Sequence, residues 1–203
     1  VWGDSKGIYY GYVRPSLAIQ SSAVVNYVHT QLSFYPISFV GLNVGKSKGT
    51  RNVTALQNFN CETIACGGRT TRNFFGTDFA LAYKKTSLLT YIKRESITLA
   101  DDTGVYADEF STLDASGKET VTSFTHILAH QLTDTWTSAF LLVHNSSKNT
   151  AQKSIMSMAL AQYELDKWSF GLGLGNFHSK TANNHFSTLL LISWNGKKGL
   201  RLF

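Results

Sequence analysis

Apolar and polar residues alternate along most of this chain with a period of two, the signature of β-strands with two unlike faces. The pattern is cleanest in residues 168–175, WSFGLGLG. Trp168, Phe170, Leu172 and Leu174 fall on one face, and Ser169, Gly171, Gly173 and Gly175 on the other. A half-buried strand of a water-soluble sheet sets large apolar residues against polar ones. Here the second face is glycine and serine, which neither fill a core nor solvate well, and glycine inside a strand ordinarily weakens it. The combination fits a strand whose inner face lines a tight closed barrel and whose outer face touches lipid. Residues 155–165 form the other arm of this hairpin, with Asp166-Lys167 at the turn and Tyr163 and Trp168 on either side of it. In residues 185–194, Phe186, Thr188, Leu190, Ile192 and Trp194 share a face, and Asn195-Gly196 follows as a strong turn signal.

The same plan recurs upstream: two strands, a short turn, then a longer polar connection. Strands are predicted over residues 7–20, where Pro15 marks a bend or bulge, and over 23–35 and 37–45 around a turn at Pro36. Further pairs are 72–83 with 87–99 across Lys84-Lys85-Thr86, and 120–132 with 136–146 across Thr133-Asp134-Thr135. In 72–83, Phe75, Phe79, Leu81 and Tyr83 point out, and Gly76, Asp78, Ala80 and Ala82 point in. Residues 46–71 and 100–119 are long polar connections. No linker interrupts the chain, so residues 1–203 are read as a single domain. The predicted fold is all-β: an up-and-down antiparallel transmembrane β-barrel of about ten strands, with eight or twelve possible. Residues 199–203, GLRLF, are either a tail or the start of a further strand.

Composition supports a membrane setting. Only 16% of the 203 residues are charged, against ~25% in soluble domains. Aromatics reach 13% and prolines number 2, which suits a sheet whose every backbone donor is needed. Mean hydropathy is −0.10, and no apolar run approaches the roughly 20 residues of a helical span. Val1-Trp2-Gly3-Asp4 has neither a basic start nor an apolar run, so no signal peptide is read there; the start is that of a mature chain or an artificial one, and secretion is not read from it.

Aromatic residues gather at the short turns. Tyr35 precedes the first and Tyr83 the second, Trp136 follows the third, Tyr163 and Trp168 flank the fourth, and Trp194 precedes the last. Alternate turns of a meander lie at one end, so these residues are expected to form a girdle at a membrane–water interface. A soluble ligand-binding barrel would hold its aromatics inside and present a charged exterior, whereas these strands carry few charges on either face. Phe170, Leu172, Leu174, Leu190 and Ile192 are then the lipid-facing residues.

The strand pattern, the contrast between short turns and long connections, the aromatic girdle and the terminal Phe203 together resemble bacterial outer-membrane β-barrel proteins. The resemblance spans nearly the whole chain. It implies residence in the bacterial outer membrane, with a structural role or that of a narrow passive channel. It also implies outer-membrane lipid and lipopolysaccharide as partners. Lys46, Lys48, Arg72, Lys148, Lys153 and Lys180, together with Arg51 and Arg69, fall in or beside the connections placed outside. They are either solvated loop charges or contacts to lipopolysaccharide phosphates through charge-assisted hydrogen bonds.

Candidate chemistry is sparse. Cys61 and Cys66 lie in CETIAC with no cluster of metal ligands nearby. A local disulfide formed in an oxidising compartment is expected, with free thiols as the alternative. A net charge of +6 without a basic stripe interleaved with aromatics gives no nucleic-acid reading. His144-Asn145-Ser146 resembles the His/Ser pair of outer-membrane lipid A deacylases. A serine nucleophile needs a base and an orienting carboxylate, and the next one, Glu164, is predicted at the opposite membrane face. The plainer alternative is a polar rim residue. A protease-type barrel would draw on His29, His126 and His130 with Asp101, Asp102, Asp108 and Glu109, but the sequence ties no histidine to those carboxylates. Gly171-x-Gly173-x-Gly175 continues a strand instead of opening a helix, so it is no phosphate loop. No catalytic residue, metal ligand or cofactor is assigned. Inward Gly171, Gly173, Gly175, Gly76 and Ala80 are expected to leave space in the lumen. Asp78, Lys93 or Arg94 would cross it, and residues 46–71 and 100–119 would fold over its mouth. The expected conductance is small at most and weakly anion-selective.

Overall fold

A computed structural model describes the chain except for residues 1, 4–8, 22–23, 57–58, 101–103, 181–184 and 195–203. The strands are β1 (Trp2–Gly3), β2 (Tyr10–Ser21), β3 (Val25–Ile37), β4 (Val40–Arg51), β5 (Gly68–Tyr83), β6 (Thr86–Leu99), β7 (Val105–Asp108), β8 (Leu113–Ser116), β9 (Lys118–Gln131), β10 (Trp136–Ser147), β11 (Lys153–Leu165), β12 (Trp168–Ser179) and β13 (His185–Trp194). Among the described residues ten long strands form one up-and-down antiparallel sheet in the order β2-β3-β4-β5-β6-β9-β10-β11-β12-β13. The two-residue β1 pairs with the outer edge of β2, and β7–β8 is a separate hairpin. The all-β meander expected from the alternation is therefore present.

The expected closure is not. Among the described residues no pairing joins β13 to β2, and the sheet stays open along that seam. One reason lies at the edge itself: Trp2 and Gly3 pair with Gly11 and Tyr10, which takes part of the β2 edge that a closing strand would use. Pro15 also sits in β2, paired in unbroken register with Leu32, without a bulge. An edge strand tolerates it, since its missing N–H can face away from the neighbour. The irregularity falls instead between Phe34 and Ile37, around Pro36.

One predicted connection is shorter than expected. β4 runs to Arg51 and β5 starts at Gly68, so the long connection is 52–67 rather than 46–71. The alternation does persist there, with Lys46, Lys48 and Thr50 on one face and Gly45, Ser47 and Gly49 on the other. Both faces are polar or small, so no hydrophobic contrast reveals the strand.

The registers fix the faces. Ser33, Ser47, Arg72, Glu95, Val121, Asn145, Ser154 and Ser169 are buried on the inner face. Glycines line two strands of that face. On β4, a Cβ at Gly41, Gly45 or Gly49 would lie 2.5, 2.4 or 2.2 Å from the rings of Tyr35, Phe74 or Tyr27. Each ring lies over a missing side chain, so β4 can be approached closely and the sheet can curl there. On β12 the fillers are aliphatic: a Cβ at Gly173 would meet Leu160 at 2.5 Å, and one at Gly175 would meet Met158 at 2.6 Å. The space expected at Gly171, Gly173 and Gly175 is thus occupied, because Leu160, Met158 and Leu191 lean into it.

The best-packed core lies at the end of the sheet opposite the short turns. There the β7–β8 hairpin covers the inner face, burying Tyr106 and Ala115 against Ile97, Leu99 and Val121, with Leu113 of the hairpin buried as well. The Tyr106 hydroxyl donates to the Ile97 carbonyl at 3.0 Å.

Candidate functional site

The inner face under this hairpin holds a cluster of buried charges. Parity along β4, β5 and β6 turns Arg51, Arg72 and Glu95 inward. The hairpin brings Asp108 and Glu109 down to meet them. Arg72 Nη2 donates to Asp108 Oδ1 at 2.5 Å and to Glu109 Oε1 at 3.4 Å, and its Nη1 lies 3.6 Å from Glu95 Oε1. Arg51 Nη1 donates to Glu109 Oε2 and to the Ala107 carbonyl, both at 2.6 Å. Lys93 Nζ stands 3.3 Å from Glu95. Arg51, Arg72 and Lys93 thus balance Glu95, Asp108 and Glu109, as buried ions require. Phe110 stacks on the Arg72 guanidinium at 4.6 Å. The Tyr27 hydroxyl reaches Thr70 at 3.0 Å and donates to Glu109.

Burial by itself would raise the Asp108 carboxyl. The Arg72 guanidinium and the donated Ser111 hydroxyl outweigh it and hold Asp108 below the usual carboxylate range. Burial and then the charge of Asp108 push the Tyr106 phenol up to about 12.

The far side of the hairpin is tied as firmly. Glu119 accepts backbone N–H bonds on Oε1 from Thr120, Lys148 and Asn149 at 2.8, 3.0 and 2.8 Å, and on Oε2 from Thr150 at 3.2 Å. Gln152 Nε2 donates to Asp114 Oδ2 at 2.8 Å, and Ser154 Oγ to the Ser111 carbonyl at 2.7 Å. Cys61 and Cys66 form a disulfide. It lies beside Ala65, whose backbone bonds Val105 and Ala107 at 3.0 Å and so couples the 52–67 connection to β7. Hairpin, connection and strand ends make a stopper across one end of the inner face.

The other end is open. A polar recess of about 270 Å³ there is lined by Lys84, Lys85, Ser87, Gln131, Asp134 and Glu164. Between recess and stopper, half-buried Leu89, Ile127, Leu141 and Leu160 make the β6–β11 side of the inner face apolar. The β2–β5 side is polar: Tyr35 donates to Asp78 at 2.8 Å, and Gln31 donates to Asn43 at 3.0 Å.

These placements revise several sequence expectations. Arg72 is no lipopolysaccharide contact: its side chain is 2% exposed and points inward, and Arg51 is 1% exposed. Tyr35 leaves the girdle, because parity sends Phe34 outward and Tyr35 over Gly41. Tyr83, Trp136, Trp168 and Trp194 do lie exposed on the outer face at the short-turn end, and Tyr163 lies beside Trp136 with ring centroids 5.0 Å apart. Phe170, Leu172, Leu174, Leu190 and Ile192 are exposed on the same face. Lys46, Lys48 and Lys153 are outward and exposed, and Lys148 and Lys180 are exposed beyond the strand ends. Arg94 faces outward and Lys93 inward.

No catalytic constellation assembles among the described residues. His144 and Ser146 share the outer face, but Ile155 and Lys153 stand opposite them, and His144 stacks on Phe124. His126 and His130 bond Thr90 and Thr86 on the outer face, while His29 bonds Gln20 on the inner one. Asp108 and Glu109 are engaged by arginines, and Asp101, Asp102, Gly196 and the 199–203 segment lie outside the described residues.

The stopper residues Tyr27, Glu95, Tyr106 and Glu119 went unmarked in the sequence. One signal was present: VYAD and LDAS alternate on either side of a short polar turn, as a small hairpin does. Comparison with known proteins returns no matching family model, no matching curated relative and no matching solved structure.

Proposed function

We propose that this chain is an integral β-barrel of the bacterial outer membrane with a stoppered lumen, serving a structural role or at most as a narrow passive channel. One observation carries the reading: the segregation of charge between the two faces. Among the described residues the ten long strands carry four carboxylates, Asp78, Glu95, Glu119 and Glu164, and all four face inward. The outer face is an exposed apolar band, with an aromatic group at the short-turn end. Exposed apolar patches beyond a few hundred Å² are unusual on soluble monomers, whereas lipid favours them.

Lipid also demands that backbone groups be paired within the protein. The reading therefore has the β13 and β2 edges close on each other in the bilayer. A disulfide in the 52–67 connection suits an oxidising compartment. Lys46, Lys48, Lys148, Lys153 and Lys180 would meet outer-leaflet lipopolysaccharide.

The stopper argues for little conductance. The inward charges of the long strands are Arg14, Arg51, Arg72 and Lys93 against Asp78, Glu95, Glu119 and Glu164. The surplus of lysine and arginine lies elsewhere, so it gives the lumen no anion preference. Planar-bilayer recording of the purified protein tests this. Silence, or small brief openings without strong selectivity, is expected. A large stable conductance would overturn the stoppered reading.

A further inference from the structure

We infer that the outer wall of β6, β9 and β10 is where a second copy of this chain docks, side by side in the membrane. The inference rests on the membrane reading and adds a partner to it.

The wall carries an island of polar side chains inside the apolar band. On each long strand the first three outward positions, counted from the short-turn end, fall in that band. On β2–β5 and β11–β13 all of them are apolar or aromatic, apart from Gly11. On β6 they are Thr86, Leu88 and Thr90, on β9 His130, Leu128 and His126, and on β10 Trp136, Ser138 and Phe140. The five polar residues thus sit on three adjacent strands. Thr86, His130 and Ser138 share one row, and Thr90 and His126 share another, with Leu88, Leu128 and Phe140 in the row between.

Local bonds use only part of this island. His126 Nδ1 bonds Thr90 Oγ1 at 3.1 Å, and His130 Nδ1 bonds Thr86 Oγ1 at 2.9 Å. Neither Nε2 has a partner among the described residues. A neutral imidazole has one donor and one acceptor nitrogen, so each Nε2 still needs a partner whichever nitrogen carries the proton. His130 is close enough to the short turn to meet interfacial water. His126 is not: it stands five residues before Gln131, roughly 16 Å along the strand. At a strand tilt of about 40° that is near the middle of a band about 25 Å tall. Lipid has no hydrogen bond to give there, and histidine at that depth ordinarily faces protein.

Three properties select a second copy as that protein. The island is uncharged and mixes donors with acceptors, so it complements itself. Two copies inserted in one bilayer share an orientation. A two-fold axis along the membrane normal therefore sets each row against its own equivalent at equal depth. Leu128, 51% exposed between the two histidines, and Phe140 beside it supply apolar contact around the polar groups. Next to them β11 presents Ala159 and Ala161, small and exposed, which lets another wall come close.

The test follows energy transfer between donor- and acceptor-labelled copies of the full chain in phosphatidylcholine vesicles. The dye is carried on Lys167→Cys at the β11–β12 turn, because the native cysteines are bridged and take no label. Transfer should persist as added lipid dilutes the protein. His126→Leu with His130→Leu should move half-association to a protein density about tenfold higher or more. Leu172→Ala with Leu190→Ala on β12 and β13 should leave it in place. Leu128→Trp, which blocks the approach without adding charge, is the substitute if the histidine pair fails to fold. Transfer by the parent no greater than chance proximity gives, or undiminished transfer in the folded variants, would overturn the interface and leave the membrane reading standing. A parent that stays monomeric and retains one co-purified lipid would assign the island to lipid and equally overturn the second copy. A chain that is folded and monomeric without detergent or lipid would overturn both.

Discussion

Arg72 on β5 and Asp108 on β7 meet at 2.5 Å with both side chains out of water, 36 residues apart in the chain. This contact fastens the β7–β8 hairpin to the sheet wall, and it exists because Arg72 has inward parity while its neighbour Arg69 faces out. A buried pair adds little relative to an apolar pair of the same shape, but removing one partner strands the other charge.

Asp108→Asn should therefore cost about 3–5 kcal/mol locally, through loss of the hairpin rather than of the sheet. Limited proteolysis should cut the 104–117 segment in the variant and spare it in the parent, while the circular dichroism of the sheet is unchanged. An uncut hairpin would show that the apolar contacts of Tyr106 and Leu113 hold it alone.

Acid should act on the same contact. Asp108 has its folded-state pKa depressed below that of an unfolded aspartate, about 3.9. Its contribution is complete above that value and is lost as pH falls through the lower folded value. Hairpin proteolysis should be flat from neutral pH down to about 4 and rise below it. A rise beginning near pH 6 would assign the switch to another group.

The Cys61–Cys66 bridge closes a short loop, so reducing it should remove at most about 2–3 kcal/mol. The loss should fall on the 52–67 connection and the backbone bonds of Ala65 to β7. Intact mass after alkylation without reductant should show no modified thiol, and hydrogen exchange after reduction should quicken in 52–67 first. Two alkylated cysteines in the untreated protein would contradict the bridge.

The meander order was legible from the repeated strand–turn plan, and the faces of β12 because large residues oppose glycine and serine there. Legibility failed where both faces are polar. The parity of Phe75 and Gly76 already turns Arg72 inward, but nothing in the local pattern extends β5 back to Arg69 or β4 on to Arg51. Tyr35 and Phe34 are both aromatic beside a proline, and only the register around Pro36 separates them. The stopper depends on pairs such as Arg72–Asp108 and Glu119–Asn149, which sequence separation hides.

The outer-wall assignment is tested most directly by a spin label at Leu172, compared with one at Ser33, in lipid vesicles. Leu172 is 48% exposed on the outer face and Ser33 is 0% exposed on the inner face. The account predicts that a Leu172→Cys label is relaxed strongly by membrane-dissolved oxygen and hardly by a water-soluble nickel chelate. A Ser33→Cys label should be shielded from both. A Leu172 label relaxed chiefly by the nickel chelate would place the apolar band in water and contradict the membrane barrel.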